Sequence, residues 1–163
     1  MKKMLQKMFV ILFVPVLIFG VGCSGQKLPP DLPKLYSCKI TITQGGNPLA
    51  NANVFLAPAN GSKWNASGST NQQGTVELWT QGMYRGVAEG NFKVVVSKQE
   101  IINPPDTPTS ATDTPAEHPK VYDVVETIYA ETETTPLSVD ITTGKNTFTL
   151  DVGTPVRILQ PER

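Results

Sequence analysis

YRGVAEGNFKVVVSK, residues 84–98, is the stretch whose reading decides the fold. Its second half alternates: Phe92, Val94 and Val96 fall on one side, Lys93, Val95 and Ser97 on the other. That is the period of two expected of a half-buried strand, not the 3.6 of a helix. Gly86 and Gly90 punctuate the lead-in, and Gly90 lets the chain enter the strand beside Phe92.

The same period recurs on both sides. Residues 36–43 set Tyr36, Cys38, Ile40 and Ile42 against Ser37, Lys39, Thr41 and Thr43. QGGNPLANA supplies Gly, Asn and Pro for turns before an extended run at 53–58, and ANGSKW turns into a short strand at 66–70. NQQG leads into residues 75–80, with Val76 and Leu78 on one face. Near the end, 137–142, the turn TGKN and 146–152 read as a hairpin, with Phe148, Leu150 and Val152 inward against Leu137, Val139 and Ile141. About seven short strands without a long amphipathic helix predict an all-β antiparallel sandwich.

One segment breaks this rhythm. Residues 101–120, IINPPDTPTSATDTPAEHPK, hold five prolines and four threonines and almost no hydrophobe after Ile102. They are expected to form a flexible insertion and no ladder strand. VYDVVETIYAETE behind it fits either a short helical turn or an extended return with Val121, Val124 and Tyr129 tucked in.

The N-terminus, MKKMLQKMFVILFVPVLIFGVGCSG, has the three parts of a secretory signal. Lys2, Lys3 and Lys7 are basic, and the apolar run from Phe9 to Phe19 is 11 residues long. A bilayer-spanning helix needs roughly 20. Val21, Gly22 and Cys23 then resemble the lipobox of bacterial lipoproteins, with Gly20 where that family prefers Leu. The resemblance implies cleavage before Cys23 and acylation of it, an anchor to the membrane. Ser24, in place of Asp, favours the outer membrane in a cell that has one. The expected organisation is a signal peptide at 1–22, a lipidated Pro-rich tether at 23–35 carrying Pro29, Pro30 and Pro33, and a sandwich domain at 36–159.

With the strands placed, a second resemblance appears. Gly46-Asn47-Pro48-Leu49-Ala50-Asn51-Ala52-Asn53-Val54, then Thr70-Asn71-Gln72-Gln73-Gly74, then Gly90-Asn91-Phe92-Lys93-Val94-Val95-Val96 resemble the pattern of the carboxypeptidase regulatory-like domains. The resemblance implies a Greek-key, transthyretin-like (prealbumin-like) β-sandwich. It describes a fold that hosts many functions, and carries no catalytic set with it.

The chemistry-bearing residues are few. The chain holds one histidine, His118, inside the Pro-rich segment between Glu117 and Pro119. No zinc-ligand spacing is present, and Asp106, Asp113 and Glu117 do not have the spacing of a calcium loop. No metal site and no cofactor are expected. Cys38 shares a face with the isoleucines and reads as a small buried hydrophobe. Lys39 and Asp151 lie on polar faces, which argues against an internal lysine–asparagine crosslink. Removal of the signal takes three of the 14 basic residues against 14 acidic ones, so the mature chain carries a net charge of −3. With no basic cluster, nucleic acid is not an expected partner.

Binding rests on aromatics. Trp64 in GSKWN, Trp79 on an outer strand face and Tyr84 in the next loop are the candidate ligand-contacting residues. Two functional expectations follow. The first is a non-catalytic, lipid-anchored accessory or interaction module of the cell envelope, partnered by the membrane through lipid on Cys23 and by an envelope protein or glycan. The second is a surface carbohydrate- or peptide-binding lipoprotein of an uptake system. A hydrolase fits poorly for want of acid–base groups.

Overall fold

The computed structural model describes residues 28–103 and 118–161. Pro33–Arg163 belongs to one compact unit; Leu28–Leu32 belongs to another, in which the Leu32 N–H bonds the Pro29 carbonyl at 3.1 Å. The predicted signal peptide, Cys23 and most of the Pro-rich insertion fall outside the described residues.

Seven strands build the sandwich: β1 (Cys38–Gln44), β2 (Asn53–Pro58), β3 (Ala66–Ser69), β4 (Thr75–Glu77), β5 (Gly90–Ser97), β6 (Ser138–Ile141) and β7 (Asn146–Asp151). One sheet runs β6-β5-β2-β3 and continues into two short ribbons, Trp79–Thr80 and Tyr84–Arg85. The other runs β7-β1-β4. The chain is thus the all-β sandwich predicted, and among its seven named strands the pairing is antiparallel except where β7 runs parallel to β1.

Alternation does what the sequence requires of it. β1 buries Cys38, Ile40 and Ile42, β2 buries Val54 and Leu56, and β5 buries Phe92, Val94 and Val96. Val76, Ala66, Val139 and Ile141 complete the layer between the sheets. Removing this apolar area from water is the main stabilising term.

Turns follow from local chemistry. β1 reverses through Gly45-Gly46, both at positive φ, pairing Gln44 with Asn47 and Thr43 with Pro48. Positive φ at both central residues is the type I′ geometry, one of the two-residue turns whose twist matches that of the flanking strands. Gly74 has φ +69, and a Cβ there would stand 2.5 Å from the Ile42 carbonyl oxygen. Its position demands glycine on two counts.

The expected hairpin of residues 137–142 with 146–152 does not form. β6 pairs with β5, and β7 crosses to the opposite sheet to pair with β1. Asn146 sets the crossing: its side-chain oxygen accepts the Thr142 N–H at 3.0 Å and its amide donates to the Thr142 carbonyl at 3.0 Å. β1 and β5 each present an open edge of backbone groups, and the crossing satisfies both, where a hairpin would satisfy one. Phe148 and Leu150 are consequently half-buried, while Val152 is fully buried.

Two further boundaries differ from expectation. Strand pairing already begins at Leu35, the last residue of the expected tether, because Leu35–Tyr36 pairs with Val87–Ala88. The stems of the Pro-rich insertion do form a ladder. Gln99–Ile102 pairs with Lys120–Asp123, which pairs in turn with Ile158–Leu159. Prolines bar residues 104, 105, 108, 115 and 119 from donating, yet Ile101, Ile102 and Lys120 keep their N–H groups and pair. The return segment is both extended and helical: Lys120–Asp123 is strand, Val124 and Val125 are buried, and Thr127–Ala130 forms one helical turn. The Gln44 side-chain amide donates to the Val124 carbonyl at 2.7 Å, tying this segment to β1.

Candidate binding surface

Polar side chains inside the sandwich hold backbone together. The Thr80 hydroxyl donates to the Gly86 carbonyl at 2.8 Å, and the Thr135 hydroxyl donates to the Val94 carbonyl at 2.7 Å. Among the described residues, no buried side-chain nitrogen or oxygen lacks a hydrogen-bond partner.

Titratable groups do not converge. Burial pushes the Cys38 thiol up to about 11. The Asp151 carboxyl is held below its usual range, first by the Thr43 hydroxyl and then by the Gly46 N–H. Thr43 donates to one carboxylate oxygen at 2.7 Å and Gly46 to the same oxygen at 3.2 Å, so Asp151 fastens the β1 turn to β7. His118 is exposed and borders an open groove of about 890 Å³ with Gln99, Lys120, Val121, Leu159 and Gln160. No carboxylate lines that groove among the described residues. No group of three His, Cys, Asp or Glu is placed among the described residues to hold a metal ion.

The three aromatic candidates do not meet. Trp64 is only 9% exposed, with the Lys63 ammonium 4.8 Å from its ring centroid. It stands two residues ahead of wholly buried Ala66 and is nearly buried itself, so its ring is not offered to a ligand as an exposed face. Tyr84 stands opposite Thr80 in register, and directly opposed residues share a face. Thr80 is buried, so Tyr84 lies on the inner side and is half-buried. Trp79 alone of the three is outward, 42% exposed and opposite Ser67.

A residue absent from the sequence reading joins Trp79. Phe55 lies opposite Val95 on one side and Ser67 on the other, and is 37% exposed. Val95, Phe55, Ser67 and Trp79 therefore make one cross-strand row on the outer face of the larger sheet. The alternation of NVFLAP carried the signal, since Val54 and Leu56 inward puts Phe55 outward. Two residues before Trp79 in the chain, at the end of β4 in the other sheet, Glu77 accepts from Arg85 Nη2 at 2.7 Å, both side chains well exposed.

No helix among the described residues is long and apolar enough to cross a membrane. Comparison with protein-family models, with curated proteins and with solved structures returned no match.

Proposed function

We propose that the chain is a lipid-anchored, non-catalytic module of the cell envelope, an accessory or interaction domain with the architecture of the carboxypeptidase regulatory-like family. The basic, apolar and small-residue order leading to Cys23 supports the anchor, and the prolines after it support a spacer. Two or three acyl chains, at about 0.8 kcal/mol per buried CH2, hold such a domain at the membrane.

The observation that carries the non-catalytic reading is where the polar chemistry goes. The buried threonines and asparagine are engaged in framework hydrogen bonds, which leaves them holding backbone together. The exposed pair Phe55 and Trp79 also favours the second reading, a surface binding lipoprotein of an uptake system.

In-cell crosslinking of the full chain, with mass spectrometry of Cys23 and of the adducts, tests the proposal. Acylated Cys23 with one reproducible protein adduct is the expected result. An unmodified Cys23 removes the membrane anchor and the proposal with it.

A further inference from the structure

We propose that the outer-face row Val95–Phe55–Ser67–Trp79 is a stacking platform for a neutral polysaccharide. The inference rests on the envelope-module reading and names the chemistry that such a module would hold.

The geometry favours a chain of rings over a compact ligand. Phe55 and Trp79 sit two strands apart with Ser67 between them. Strands spaced 4.7–4.9 Å put their backbones about 9.5 Å apart, too far for one sugar ring to cover both aromatics and suited to alternate rings of one polymer. The small serine keeps the row low where the polymer passes from one aromatic to the other. Aromatic faces carry negative charge density, and the C–H face of a pyranose ring is its electropositive complement.

Charge argues in the same direction. The row itself carries no charge, and the Arg85–Glu77 ion pair is internally neutral. Lys93 shares the outer face next to Val95, at the opposite end of the row from Trp79, where its ammonium donates to the Thr135 carbonyl at 3.2 Å. The adjoining row is Ser97, Asn53 and Ser69, with Ser69 donating to the Asn53 side chain at 2.9 Å. A narrow aromatic stripe bordered by hydroxyls and amides complements a polyhydroxylated neutral chain. A protein-binding face is built differently, with a broad apolar centre and a polar rim. None of the four side chains in the row carries a charge with which to recognise an anionic glycan or a lipid headgroup.

Affinity electrophoresis of the mature, unlipidated chain through gels holding hydroxyethylcellulose, galactomannan, dextran or alginate is the test. Retardation by at least one of the three neutral polymers is expected, with Trp79→Ala weakening it at least about tenfold and Phe55→Ala weakening it as well. Both residues are partly exposed, and unchanged thermal melting of each variant separates lost binding from lost folding. Ser67→Gln provides a second probe, since it raises the middle of the row while leaving both aromatic residues in place, and it too is expected to weaken retardation. No retardation in any neutral gel overturns the platform, as does retardation that survives both aromatic substitutions. Retardation by alginate alone overturns it in favour of ionic contact. Loss of the cellular protein adduct in Trp79→Ala without polysaccharide binding overturns it in favour of a protein face. In each of those cases an acylated Cys23 leaves the envelope-module reading standing.

Discussion

The Thr70 hydroxyl accepts the N–H of Ala52 at 2.9 Å and donates to the Leu49 carbonyl at 2.6 Å. Two backbone bonds run alongside, Thr70 N–H to the Ala52 carbonyl and Asn51 N–H to the Thr70 carbonyl. The loop between β1 and β2 is thereby clamped onto the end of β3. In sequence terms this joins the Pro-Leu-x-x-Ala segment to the first residue of Thr-x-x-x-Gly, so the two halves of that pattern are one hydrogen-bonded object. Thr70→Val keeps the shape and leaves a buried donor and acceptor unpaired. A loss of about 2–3 kcal/mol is expected in urea unfolding, with Thr70→Ser recovering most of it.

Gly74 and Gly46 both have positive φ, but a Cβ at Gly46 meets nothing within 4 Å. Gly46→Ala is therefore expected to cost about 1–2 kcal/mol, the left-handed penalty alone. Gly74→Ala adds a clash with the Ile42 carbonyl and the Leu49 nitrogen, both backbone atoms. Its midpoint of unfolding should fall well below that of Gly46→Ala, and equal midpoints would contradict the close approach.

The two indoles should separate cleanly. Trp64→Ala empties a buried site and is expected to destabilise by about 3–5 kcal/mol. Trp79→Ala, on the outer face, should cost less than about 1 kcal/mol. In single-tryptophan variants, iodide should quench Trp79 fluorescence strongly and Trp64 weakly.

Asp151 makes stability depend on acid. Its carboxyl is depressed in the folded chain, so the folded state favours the carboxylate more than the unfolded chain does. That contribution is complete above the ordinary carboxyl range near pH 4 and fades as pH falls through the lower folded value. Denaturation midpoints between pH 5 and pH 2 should decline less steeply in Asp151→Asn than in the native chain.

Cys38 works in the opposite direction. Its thiol is raised to about 11, so its contribution is complete below the unfolded value near 9 and is lost as pH climbs from there toward 11. Maleimide should leave Cys38 unmodified at pH 7 in the folded chain and label it in urea. Cys38→Ala should remove part of the alkaline decline in stability between pH 9 and pH 11.

What the sequence determined by itself is local. A period of two assigns inner and outer faces residue by residue, which is why β1, β2 and β5 bury the side chains that alternation selects, and why Cys38 lies with Ile40 and Ile42. Paired glycines with no side-chain alternative mark the β1 turn. Partnering was decided only in three dimensions. Alternation says which way Phe148 and Leu150 face but not which strand lies beside them, so β7 reads as a hairpin arm although it completes the edge of β1. The same limit governs the surface. Trp64 and Tyr84 are near Trp79 in sequence yet lie on the core side, while Phe55, 24 residues before Trp79, shares its row because β3 carries the register across between them. Backbone hydrogen bonding between distant strands sets that register, and no local preference encodes it.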